Sequence, residues 1–124
     1  MICSMKEILD MAESGNFAVP AFNIYNFGSL TGIKDAIAET KAPVILQMYT
    51  RLFDTGLAKY LMPAIKEVAN ELDSPVAIHL DHGADFEICK SCIDGGFTSV
   101  MIDGSHYSFE ENVAVTKKVV DYAH

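Results

Sequence analysis

The stretch VAIHLDHGADF, residues 76–86, opens on an apolar run and closes with His79, Asp81 and His82 inside four positions. Together with Pro75 it predicts a strand over 75–81 that is covered on both faces, as strands of parallel sheets are. Side chains alternate along a strand, so His79 and Asp81 share a face and Leu80 takes the other. His82 falls just past the predicted strand, where the turning backbone can swing its ring toward the same end. A neutral imidazole is a good zinc ligand, and a carboxylate beside it is free to move a proton. One histidine is not a metal site, and the dipeptide alone leaves a hydrogen-bonded strand end equally open.

The rest of the chain repeats the same unit in both directions. Downstream, DFEICKSCID (85–94) has a helical period ended by Gly95 and Gly96, and TSVMID (98–103) reads as a strand. FEENVAVTKKVVDYA (109–123) is a helix capped by Ser108, with Glu111 completing a capping box. Upstream, a helical stripe of Leu57, Tyr60, Leu61, Ile65 and Val68 predicts one helix over about 55–72, with Pro63 kinking it or marking a restart. PVILQMY (43–49) is a strand, and 29–41 is a helix with Leu30, Ile33, Ala36 and Ile37 on one face. FAVPAFN (17–23) is a strand made irregular by Pro20. SMKEILDMAES leads as a helix capped by Ser4.

A leading helix and four strand–helix units of about 25–30 residues predict an α/β fold with a parallel sheet. Two architectures compete. One is a small open sheet with helices on both faces, although the first strand lacks the phosphate-binding glycine loop of a flavodoxin-like domain. The other is part of a (β/α)8 barrel, which takes about 250 residues in full. At 124 residues the chain is one compact domain.

Acidic residues outnumber basic ones 17 to 9, for a net charge of −8, which disfavours nucleic acid and anionic membranes as partners. No apolar run nears the roughly 20 residues of a membrane span. The start lacks the pattern of a secretory signal, and three cysteines form no disulfide framework, so a cytoplasmic setting is expected.

Parallel α/β sheets bind ligands at the carboxyl ends of their strands. Here those ends carry Asn23; Tyr49 and Thr50; Asp81 and His82; and Asp103 followed by Gly104, Ser105 and His106. Polar turns and helix caps account for any one of them. All four together favour a site.

The segments VPAFNIYN, KAPVILQ, AIHLDHGADFE, SVMIDGSHYSFEENV and KKVVDYAH, in this order, resemble the class II, metal-dependent fructose-bisphosphate aldolases and the related tagatose-bisphosphate aldolases. The resemblance spans essentially the whole chain. It implies a zinc-dependent carbon–carbon lyase on a (β/α)8 TIM barrel, of which residues 1–124 are the N-terminal half. Such an enzyme cleaves a ketose bisphosphate to dihydroxyacetone phosphate and an aldehyde, usually glyceraldehyde 3-phosphate. By motif position Asp81 matches the catalytic acid/base, and His82 a ligand of the catalytic zinc. Asp103 matches an acidic position tied to a second cation, divalent or monovalent, and Asn23 an asparagine near the substrate. Some members keep a serine near the substrate phosphate where this chain has Tyr49, followed by Thr50. His79 has two readings, orienting Asp81 or a water beside it, or serving as a satisfied core histidine.

The zinc histidines and glycine-rich phosphate loops that the family carries on later strands have no counterpart in these residues. His106 is a local substitute ligand at most, and the Cys89/Cys92 pair lacks a second pair and a helix-start position. The chain is therefore expected to be incomplete as an aldolase and to associate with a C-terminal half-barrel or with another copy of itself. The alternative is an inactive half-barrel module that keeps the fold without the chemistry.

Overall fold

A computed structural model describes all residues, 1–124. Helix α1 (Met5–Gly15) starts at a full capping box between Ser4 and Glu7. Strand β1 is only Ala21–Asn23, because Pro20 has no N–H to extend the ladder backward; its carbonyl still accepts from the Ile45 N–H at 2.9 Å. Helix α2 (Phe27–Thr40) begins two residues before the expected start. Asn26 caps it and exchanges hydrogen bonds with Ser29, a box hidden by the poor helix formers Gly28 and Ser29. Strand β2 (Val44–Tyr49) follows.

The helix expected over about 55–72 is α4 (Ala58–Glu71) alone, and a short extra helix, not expected, precedes it. Helix α3 (Arg51–Asp54) is a single turn, and α4 starts after Gly56, whose φ of 71° breaks the run. Pro63 lies inside α4 and does not end it. Leu61, Ile65 and Ala69 are buried on both sides of it, while Pro63 itself is exposed, so tertiary packing outweighs one missing backbone bond. Strand β3 (Val76–Gly83), helix α5 (Phe86–Asp94), strand β4 (Ser99–Ile102) and helix α6 (Phe109–Ala123) complete the chain.

The four strands pair in parallel in the order β1-β2-β3-β4. An open doubly wound sheet reverses strand order at a switch point, and none occurs here. Every crossover helix lies on one side of the sheet. Val44, Leu46, Met48, Val76, Ile78 and Leu80 face that side and share one core with residues of α2, α4, α5 and α6. This is the arrangement of part of a (β/α)8 barrel. Cys89 and Cys92 belong to that core, and burial pushes their thiols up to about 11 and about 12, so they are packing residues.

The other face is the inner one. Near the strand starts it carries Ile45 and Ala77, which α1 covers with the fully buried Ile8. One step further along, registered pairing puts Asn23, Gln47, His79 and Ser99 in a single polar row across all four strands.

Helix caps make the fold acid-sensitive. Backbone and side-chain hydrogen bonds from Ser4 and Ser108 hold Glu7 and Glu111 below the usual glutamate value of 4.5. Groups with depressed folded-state pKa stabilise above their unfolded value and lose that contribution as pH falls through the folded one. Thermal denaturation followed by circular dichroism should therefore show a midpoint falling below about pH 4.5. Ser108→Ala should lower stability by about 1 kcal/mol at neutral pH. It should also flatten that acid dependence.

Candidate active site

At the carboxyl end of β3 the ladder to β4 slips. Leu80 pairs with Val100, but the next partner of Ile102 is Gly83, so β3 holds one residue more than β4. The extra residue makes a β-bulge at Asp81–His82, and His82 takes φ 51°, in the left-handed region. Simple alternation would send adjacent side chains to opposite faces. The bulge instead presents Asp81 and His82 together at the strand end. Strand β3 thus runs through His82 to Gly83, two residues beyond the expected end.

The imidazole is held from one side. His82 Nδ1 donates to Asp103 Oδ2 at 2.8 Å, and His82 Nε2 lies 3.8 Å from Asp81 Oδ1. Asp103 is fixed in turn, since the Ser105 hydroxyl and N–H donate to its Oδ1 at 2.6 and 3.1 Å. Those Ser105 donors and His82 hold the Asp103 carboxyl far below the ordinary range, so it is an anion that accepts the Nδ1 proton. The bond to Asp103, and then the charge of Asp81, raise the imidazole pKa. His82 remains half-exposed, with the Tyr49 ring edge-on to it at a centroid distance of 6.1 Å.

Asp81 is positioned by Gln47, whose Nε2 donates to Oδ2 at 3.3 Å. The Thr50 hydroxyl accepts from the Ala84 N–H at 3.2 Å and its own N–H bonds the Asp81 carbonyl at 3.1 Å, so Thr50 ties the β2 end to the β3 end. Asn23 lies in the inner row with a buried, unpartnered Oδ1. In the same row His79 Nδ1 is hydrogen-bonded with Ser99 Oγ at 2.9 Å, and burial lowers the pKa of His79. His106 instead packs against Tyr107, its ring centroid 4.1 Å away.

The structure thus brings Asp81, His82 and Asp103 together and places Asn23 and His79 one row deeper. Gln47 and Ser99 escaped the sequence reading, which named Ser105 at the strand end but gave it no role. Gln47 and Ser99 become visible only through strand register, whereas the Asp-Gly-Ser turn at 103–105 carried a local signal for Ser105.

A metal fits this donor set in part. An imidazole whose Nδ1–H is held by a carboxylate, with Nε2 left without a hydrogen bond, is the usual form of a histidine metal ligand. No group of three or more His, Cys, Asp or Glu side chains converges to hold an ion by itself.

A parallel barrel segment with a carboxylate and a carboxylate-braced imidazole at its strand ends is a candidate active site of the (β/α)-barrel class. The class-II fructose-bisphosphate aldolase family model matches residues 3–124, and the chain belongs to that family. Fructose-bisphosphate aldolase of Geobacillus stearothermophilus is 48% identical over 99% of this chain, and that of Staphylococcus aureus 47%. The chain spans 44% of the length of each. Among solved structures, the YdjI aldolase of Escherichia coli K12 superposes with a TM-score of 0.89 at 31% identity, over 98% of this chain and 46% of that one. A putative fructose-1,6-biphosphate aldolase of Coccidioides immitis gives 0.86 at 30% identity, over 94% of this chain and 46% of its own.

Proposed function

We propose that residues 1–124 are the N-terminal half of a zinc-dependent aldolase of the cytoplasm that cleaves fructose 1,6-bisphosphate to dihydroxyacetone phosphate and glyceraldehyde 3-phosphate. The observation that carries this reading is the bulge that sets Asp81 beside an imidazole already braced by Asp103. His82 would hold the zinc through Nε2, with the remaining ligands coming from outside these residues. Asp103, on the far side of the ring, is the residue to which a second cation, divalent or monovalent, would be linked. When bound, zinc supplies Lewis-acid stabilisation of the negative charge that appears as the C3–C4 bond breaks.

The chain's own residues do the rest. Asp81 accepts the C4 hydroxyl proton in cleavage and returns it in condensation, while Gln47 holds the carboxylate in place. Asp103 fixes the tautomer and rotation of His82, and Ser105 fixes Asp103. Asn23 is the asparagine placed near the substrate, and His79, pinned by Ser99, lies in the row beneath Asp81. Thr50 stands at the mouth as a further substrate contact beside its structural bonds.

The test uses a completed barrel, in which this chain continues after His124 into the part of the Geobacillus stearothermophilus aldolase beyond the matched region. It should cleave fructose 1,6-bisphosphate and stop when a chelator removes zinc. Turnover that survives the chelator would overturn the proposal. In the same protein Asp103→Asn should weaken zinc binding about 10–100-fold by calorimetry, because the group orienting the ligand loses its charge. Affinity should also fall as pH drops below neutral, since a raised His82 pKa lets protons compete for Nε2.

A further inference from the structure

Asp81 and His82 stand on a bulge, where the ladder to β4 leaves the extra residue of β3 unpaired. Beyond the bulge β4 catches the chain again, because the Gly83 carbonyl accepts the Asp103 N–H at 2.9 Å. On the other side the register with β2 ends at Tyr49, opposite Asp81. Thr50 comes next and makes two bonds across the gap. Its N–H donates to the Asp81 carbonyl at 3.1 Å, and its hydroxyl accepts from the Ala84 N–H at 3.2 Å. Those groups bracket the bulge, one at its first residue and one just past Gly83. The preceding residue also rests on it, with the Tyr49 ring edge-on to His82 at 6.1 Å.

Thr50 is diverted from another task to do this. It precedes α3, where a threonine is ordinarily extended and its hydroxyl accepts from an amide of the first turn. Ser4, Asn26, Asp85 and Ser108 cap their own helices in that way. Thr50 makes no bond to α3, and its φ of −50° and ψ of −35° are helical. Its hydroxyl serves β3 instead.

We infer that Thr50 is a positioning residue: by clasping both ends of the bulge it fixes the backbone that carries Asp81 and His82. It thereby sets how Asp81 Oδ1 and His82 Nε2, 3.8 Å apart, meet a metal and a substrate together. What the pair does rests on the proposed aldolase reading; the clasp rests on the hydrogen bonds alone. A clasp and a substrate contact leave different kinetic marks. Losing a ground-state contact raises KM, whereas a displaced catalytic pair lowers kcat. A misplacement of about 1 Å is enough to cost on the order of 10²-fold.

The test uses the completed barrel described above. Thr50→Val keeps the branched shape and removes the acceptor oxygen, while Thr50→Ser keeps that oxygen. In Thr50→Val, kcat should fall about 10–100-fold, beyond any rise in KM, and zinc affinity about tenfold. Thr50→Ser should recover most of both. With isotope-labelled alanine and histidine, the Ala84 amide of Thr50→Val should exchange about tenfold faster by NMR. The His82 ring resonances should move with it, and both signals should return in Thr50→Ser. Unchanged Ala84 exchange in Thr50→Val would overturn the inference. So would a rise in KM with kcat and zinc affinity at the parent values. Absence of turnover in the parent barrel would sink only the aldolase reading, because the Ala84 and His82 signals need neither zinc nor substrate and still decide the clasp.

Discussion

Asp81→Ala should lower retro-aldol turnover of the completed barrel by about 10²–10⁴-fold, the range that a positioned proton-transfer group supplies. The loss should appear in kcat, with zinc content and denaturation midpoint close to the parent's. Asp81 adds little to stability, because its side chain makes one long hydrogen bond, to Gln47 at 3.3 Å, at the open strand end. The backbone bond from the Thr50 N–H to the Asp81 carbonyl is untouched by the substitution. Asp81→Asn keeps the shape, removes the basicity and should be nearly as slow. A variant retaining more than about a tenth of the parent rate would place the proton transfer elsewhere.

Gly83→Ala should destabilise the chain by about 1–3 kcal/mol, as overpacking of a filled core does. A Cβ there would lie 2.7 Å from Cys89 Sγ, 2.9 Å from a Leu80 methyl and 2.9 Å from the Met101 carbonyl oxygen. The sulfur can give way a little, but the Met101 oxygen belongs to the β4 backbone and cannot. Gly83 also accepts the Asp103 N–H at 2.9 Å and directly follows His82 at φ 51°. Any shift that relieves the clash therefore moves both ends of the His82–Asp103 bond. Urea denaturation should show the lost stability, and calorimetry of the completed barrel should show weaker zinc binding. An unchanged denaturation midpoint would mean that the bulge is far softer than its contacts imply.

The sheet itself was legible because two periods recur along the chain. Continuous apolar runs at 43–49 and 75–81 alternate with helical stripes, and that pattern suffices for parallel strands joined by helices. Boundaries were missed where a tertiary contact or a backbone turn decides them. Pro63 reads as a kink or a restart, yet burial on either side carries α4 through it, and α4 starts only at Ala58, after the positive φ of Gly56 that separates it from α3. The start of α2 was late because its cap, Asn26, works through Ser29, a residue that alone suggests no helix.

The sequence by itself determined which residue types stand at the strand ends and that the strands run parallel, because those features follow from local period and order. It also placed Asp81 and His82 side by side. Only the tertiary structure decided that both face the same mouth, since one extra residue in β3 relative to β4 is a property of the pair of strands. Likewise, Asp103 lies twenty-one residues from His82 in sequence and 2.8 Å from it in space, a distance set by the register between neighbouring strands.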